Sequence, residues 1–301
     1  MGASLAQAFP TARAVFQEVD EALGQHLFAL MTSGAESDLN LTENTQPALM
    51  AVSVAVARVV AEQMGRPIGD LIQYVAGHSL GEYTALTVAG TFDVATAARL
   101  LKTRGRAMQA AVPVGVGAMA AILGLDFGDV QKIAHDAQAQ VNAGQVVEAA
   151  NDNSAGQVVV SGHAGAVAVA MNLATERGAK RAVLLPVSAP FHCSLMQPAA
   201  DVMRAALADA VMREPSVPLI ANVTAEATRD IEAIRAQLEA QVTGTVRWRE
   251  SVNTMRRLGV TQAYELGAGK VLSGLIKRIE PDIATMNAGT PEEIEAILKS
   301  F

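Results

Sequence analysis

Strands alternating with helices, a βαββαβ run set between them, and a serine on a glycine-flanked strand-to-helix turn together predict an α/β fold. The expected architecture is a parallel-sheet, α/β-hydrolase-like large domain with an inserted ferredoxin-like small lobe. The large domain is read as residues 1–112 and 188–301, and the lobe as 113–187.

In order, the chain up to residue 112 is mostly helical around a single strand. Residues 20–30 have a helical pattern, 40–47 are polar and loop-like, and 48–64 form a helix of small and β-branched residues. Residues 71–76 read as a short buried strand, with helices at 82–89 and 94–111. The lobe follows as strand 118–123, helix 127–141, and strands 146–150 and 157–161 joined by a turn at 151–156, then helix 166–177 and strand 181–187. Beyond it come helix 194–213, strand 218–223, helices 232–242 and 248–258, and strand 262–266. That last strand ends at Gly267-Ala268-Gly269, where another helix begins. Such alternation implies a parallel sheet covered on both faces.

A chain of 301 residues can bury one substantial core with a smaller lobe beside it. The net charge of −7 disfavours nonspecific binding to nucleic acid or to an anionic membrane. Cys193 is the only cysteine, so no disulfide framework forms and a reducing compartment is expected. The five histidines are scattered without zinc-ligand spacing, and neither a metal nor a bound cofactor is expected. No apolar stretch is read as reaching the ~20 residues of a membrane span. The N-terminus lacks signal-peptide regions, which makes the cytoplasm the expected location.

Gly77-His78-Ser79-Leu80-Gly81 carries the chemistry. A serine on so sharp a turn holds its hydroxyl exposed, and the amides opening the next helix face a developing oxyanion. The competing reading is an ordinary glycine-rich βα turn. A serine hydroxyl needs a base. His26 and His135 lie on helices, His163 sits in a lobe turn, and His78 is directed away by the turn it occupies. His192 follows a strand end and the break Ser188-Ala189-Pro190-Phe191, where open α/β sheets place chemistry; a helix-capping role is the alternative. No acid is placed to complete a triad. Arg104 falls in the apolar stripe of Ala97, Leu101 and Met108 and therefore needs an anionic partner. That partner is either an internal carboxylate or a substrate carboxylate held bidentately.

With Ser79, Arg104 and His192 in this order, the chain resembles the malonyl-CoA:acyl-carrier-protein transacylase family over essentially its whole length. The matching stretches are Gly77 to Tyr83, Arg104 to Gln109, Gly117 to Ile122, Asn153-Ser154 with Gly156 to Val159, Pro190 to Cys193, and Glu265 to Leu272. The resemblance implies that Ser79 carries a malonyl ester, that His192 is its base, and that Arg104 binds the free malonyl carboxylate. It implies substrate-binding neighbours at Leu80, Met108, Phe191 and Asn153, with Phe191 leaving little room for an α-methyl branch. It also implies a backbone carbonyl at Gln241 that orients His192. Ala155 and Ala268 stand where the family usually has proline. The family opens on a strand ending in a Gly-Gln-Gly-type turn, and Met1-Gly2-Ala3-Ser4 resembles the segment just after it. The chain as given is therefore expected to lack one strand and one oxyanion donor.

The function that the resemblance implies is ping-pong transfer of malonyl from malonyl-CoA to the phosphopantetheine thiol of acyl carrier protein, in fatty acid or polyketide biosynthesis, and it suggests a monomer. Two other classes stand beside it: a serine esterase or thioesterase, and a non-catalytic subunit that binds the carrier protein.

Overall fold

Helices surround the one strand that leads to the serine. The computed structural model describes residues Met1–Phe301 as a mixed α/β chain. Helices α1 (Ala3–Ala8), α2 (Pro10–Leu23), α3 (Leu27–Ser33) and α4 (Glu36–Leu39) precede the long α5 (Thr42–Met64). His26 thus caps α3 rather than lying within a helix, because Gly24 takes a left-handed φ of 56° and ends α2 there.

Two expectations are corrected at α5. The stretch 40–47 is largely helical, since Pro47 is accommodated inside α5 and Thr45 Oγ1 donates to the carbonyl of Leu39, the last residue of α4. The helix is also long and apolar enough, by length and composition, to cross a membrane. Here it is a core helix: Ala48, Met50, Ala51, Val52 and Val54 to Ala57 are buried on successive faces, as only an element enclosed all round can be.

Strand β1 (Val75–Ala76) is shorter than predicted: only these two residues pair with a neighbouring strand, and residues 71–74 lead irregularly out of a 3₁₀ turn at 68–70. Helices α6 (Leu80–Val88) and α7 (Val94–Ala110) follow, with Asp93 capping the latter through Thr96 N–H at 2.7 Å. Next come β2 (Gly117–Leu123), α8 (Phe127–Gln140), β3 (Val147–Ser154), β4 (Gln157–His163), α9 (Ala164–Glu176) and β5 (Arg181–Leu184). Their four strands form one antiparallel sheet in the order β3-β4-β2-β5, over a core of its own that includes Ile122, Ile133, Val158 and Val167. The polar run 151–156 is mostly strand: Ser154 pairs with Gln157, and register shifts absorb the Asn-Asp-Asn segment.

The chain then adds α10 (Gln197–Asp209), β6 (Leu219–Ile220), β7 (Ala227–Thr228), α11 (Ile231–Ala240), α12 (Trp248–Arg257), β8 (Gln262–Leu266), α13 (Val271–Ile279), β9 (Ala284–Ala288) and α14 (Pro291–Leu298). A wholly parallel sheet is not what forms. β1 and β6 are parallel, but β7 returns antiparallel to β6. The six residues between them are too few for a crossover, and Ala225 at φ 57° turns the chain back. β8 and β9 pair in parallel as a separate sheet, with β1 and β8 each at a sheet edge.

Strand β3 meets the rest of the chain just where the site is built. Asp152 N–H donates to Val246 O and Val246 N–H to Ala150 O, each at 2.9 Å. Thr245 Oγ1 donates to Ala149 O at 2.7 Å, and the buried Asp152 carboxylate pairs with Arg249 at 2.8 Å. The strand is therefore pinned to the segment that follows Gln241.

Candidate active site

Between β1 and α6 the chain reverses within three residues, and only glycine fits at the first. A Cβ on Gly77 would lie 2.0 Å from Gly81 O, with backbone all round and nothing able to yield. Gly81 itself needs no such allowance, since a Cβ there meets nothing within 4 Å. Gly77→Ala is therefore expected to destabilise the protein by about 3 kcal/mol or more. Gly81→Ala is expected to be neutral or slightly stabilising, as alanine is the better helix former. Thermal unfolding of the pair checks this; equal behaviour would mean that the turn is not close-packed as described.

Ser79 sits at φ 54°, ψ −111°, outside the helical and extended regions. Such backbone costs roughly 1–3 kcal/mol and persists only where its surroundings hold it. Four contacts do so. Ser79 N–H donates to Asn222 Oδ1 at 2.7 Å, and Asn222 Nδ2 donates to Gly77 O at 2.7 Å. Ser79 O accepts from Gln241 Nε2 at 2.9 Å and from Glu82 N–H at 3.0 Å. The N–H of Leu80, first in α6, has no intrahelical acceptor and opens beside the serine.

The Ser79 hydroxyl faces two side chains. His192 Nε2 lies 2.8 Å from Oγ, while His192 Nδ1 lies 2.8 Å from Gln241 O. A carbonyl only accepts, so Nδ1 carries the proton and Nε2 is left bare to accept from the hydroxyl. Burial, reinforced by the nearby Arg104 charge, pulls the imidazole down to about 3. At neutral pH the ring is therefore the unprotonated form a general base must be. His192 itself holds φ 59°, the second strained residue of the pair.

Arg104 Nη2 donates to the same Oγ at 3.1 Å. The guanidinium is 1% exposed, yet it makes no salt bridge. Its other partners are neutral: Gln46 Oε1 and Gln241 Oε1, each at 2.8 Å, with the Tyr83 ring 5.7 Å away. Nε has no partner at all. Of the two readings open from sequence, the internal carboxylate partner is absent. A buried cation with spare donors beside a nucleophile favours an anionic ligand.

The remaining predicted residues divide. Leu80 opens α6 directly after the serine, and half-buried Phe191 packs against Met119, Ala150 and Val159 just before His192. Asn153 Oδ1 is 2.8 Å from His78 Nε2, so the loop histidine and the small-lobe strand meet there. Met108 is buried in the large core, with Sδ 3.9 Å from Gln46 Nε2, and reaches the site only by packing under Gln46. Of the other histidines, His163 accepts from Val146 N–H at 3.0 Å and His135 is exposed on α8.

Sequence reading missed Gln46, Glu82, Asn222 and the side chain of Gln241. Glu82 is wholly buried; its Oε1 accepts from Asn222 N–H at 3.1 Å and its Oε2 from Gln241 Nε2. Burial pushes this carboxyl up to about 7, against those donors and Arg104. Two signals were available. An acid three residues after the serine lies under its own turn, and Asn222 follows a strand end.

A strained serine hydrogen-bonded to a neutral histidine and an unpaired arginine, on an α/β frame, defines an acyl transferase. Residues 1–267 match the family described as acyl transferase domain. The malonyl CoA-acyl carrier protein transacylase of Escherichia coli (strain K12) is 44% identical over 299 residues, 99% of this chain and 94% of that protein. The Bacillus subtilis (strain 168) transacylase of the same name is 40% identical, over 100% of this chain and 92% of its own. The acyl-carrier-protein-S-malonyltransferase of Bartonella henselae superposes with a TM-score of 0.95 at 51% identity, covering 100% of this chain and 94% of that one. A malonyl-transacylase in complex with its type II PKS acyl-carrier protein gives 0.95 at 41%, over 100% and 95%. This chain belongs to the malonyl CoA-acyl carrier protein transacylase family.

Proposed function

We propose that this chain moves a malonyl group from malonyl-CoA to the phosphopantetheine thiol of an acyl carrier protein, through an ester on Ser79, in fatty acid or polyketide synthesis. The observation that carries the proposal is the meeting of His192 Nε2 and Arg104 Nη2 on Ser79 Oγ, at 2.8 and 3.1 Å. Base and carboxylate-binding cation share one nucleophile.

As Oγ attacks the thioester carbonyl, its proton passes to His192 Nε2, and the imidazolium that forms is held by Gln241 O at Nδ1. The tetrahedral oxyanion takes the Leu80 N–H, where a helix start places positive partial charge. Collapse breaks the C–S bond, and the CoA sulfur takes the proton from Nε2. The carrier thiol then gives its proton to Nε2, attacks the ester and releases Oγ, which recovers that proton. Held by Gln46 and Gln241, Arg104 offers the malonyl carboxylate its remaining N–H groups, the unpartnered Nε among them. An acetyl group offers nothing in return, so the charge selects the dicarboxylic acyl group. Phe191 narrows the space beside His192 against an α-branch.

The finer architecture belongs to the same proposal. Residues 113–187 form a ferredoxin-like lobe, as the βαββαβ order with strand order β3-β4-β2-β5 supports. Residues 1–112 and 188–301 form an α/β-hydrolase-like domain, which the serine on its strand-to-helix turn supports. The protein works as a monomer in the cytoplasm, a compartment that suits an unpaired, buried Cys193.

Following labelled malonyl-CoA with and without holo-carrier protein tests the reaction. Label on the carrier is the predicted outcome. Free malonate in its place would make the protein a hydrolase, and no label on either protein would make it a binding subunit.

A further inference from the structure

Glu82 touches neither the hydroxyl nor the arginine, yet it decides which way a neighbouring amide points. A carboxylate is an acceptor at both oxygens. One oxygen of Glu82 takes Asn222 N–H, the main chain of the residue that clamps the serine turn. The other takes Gln241 Nε2, whose remaining hydrogen goes to Ser79 O. With its nitrogen so committed, Gln241 turns its Oε1 to Arg104 Nη2. The reversed amide would set a donor against the guanidinium and an acceptor against both Glu82 and Ser79 O.

We propose that Glu82 is a positioning residue for acyl-group specificity: by fixing the polarity of the Gln241 amide, it holds Arg104 in register to receive the malonyl carboxylate. The inference rests on Arg104 being the carboxylate clamp. Buried networks of this kind behave as one unit, because the low local dielectric makes any mismatched donor costly. Glutamine at position 82 has nearly the same shape, but it can satisfy Asn222 N–H only by turning its own NH₂ toward Gln241. The Gln241 amide then flips to accept, and its nitrogen confronts Arg104.

The test compares kcat/KM for malonyl-CoA with that for acetyl-CoA at about pH 8, where a carboxyl displaced to about 7 is ionised. Glu82→Gln is expected to lower the malonyl-to-acetyl ratio by about tenfold, the scale of one lost charge-assisted hydrogen bond. Gln241→Leu removes the same acceptor from Arg104 while keeping the main-chain carbonyl on His192. It is expected to lower the ratio similarly, and the double variant no further. A purely structural role would lower both acyl transfers together and leave the ratio alone. A wild-type ratio in Glu82→Gln, or losses that multiply in the double variant, overturns the inference. If Glu82→Gln does not fold, a wild-type ratio in Gln241→Leu overturns it instead. Arg104→Ala separates the levels: an unchanged ratio there defeats the clamp itself, whereas a fall there with none in the other two defeats only the role of Glu82.

Discussion

Replacing Ser79 with alanine is expected to abolish the covalent malonyl-enzyme and to lower transfer on the order of 10⁶-fold, the scale seen when a serine nucleophile is removed from a site whose parts act together. The fold stays in place. Alanine at φ 54° is no more strained than serine, and the main-chain bonds to Asn222, Gln241 and Glu82 do not involve the hydroxyl. What is lost is Oγ, with its contacts to His192 and Arg104. Intact-mass spectrometry after mixing with malonyl-CoA, beside circular dichroism, checks both halves. Stoichiometric acylation of the variant would place the ester on another residue.

Arg104→Ala produces the second large effect, and it is selective. Malonyl transfer is expected to fall by about 10²-fold or more, the value of two charge-assisted hydrogen bonds to a carboxylate, and acetyl transfer far less. Some loss is common to both donors. Truncation leaves the Gln46 and Gln241 carbonyl oxygens facing a cavity, and each orphaned acceptor costs about 1–3 kcal/mol. Arg104→Met refills most of that volume and should recover stability without recovering malonyl selectivity. Paired kcat/KM measurements on the two CoA thioesters decide the matter. Equal losses would make the arginine a structural cation, contrary to its lack of any salt bridge.

Ser79, His192 and Arg104 were legible in the sequence because each breaks a local rule. The serine stands where strand gives way to helix, the histidine follows a strand end in a proline-marked break, and the arginine interrupts an apolar helical stripe. The orienting carbonyl of Gln241 could not be derived that way, since a main-chain group leaves no trace in residue identity. Nor could the polar contacts beneath the site. Gln46, Glu82 and Asn222 come from two helices and a turn far apart in sequence and look like surface residues until the fold brings them together. Strand lengths misled for a related reason. The Asn-Asp-Asn segment of β3 has turn composition, yet Asp152 and Asn153 are held extended by Arg249 and His78, partners remote in sequence. Helix α5 carries an apolar run that composition alone cannot distinguish from a membrane span; only its enclosure by α2, α6 and α7 makes it a core helix.

The proposed reaction requires the acyl group to pass through Ser79 on its way to the carrier. The direct measurement is a single-turnover experiment with labelled malonyl-CoA, mapping the adduct by peptide mass spectrometry and then adding holo-carrier protein. The prediction is one malonyl group on the peptide containing Ser79, formed at least as fast as turnover and discharged quantitatively to the carrier thiol. An adduct elsewhere, one that carrier protein fails to discharge, or carrier malonylation with no enzyme-bound intermediate would contradict it.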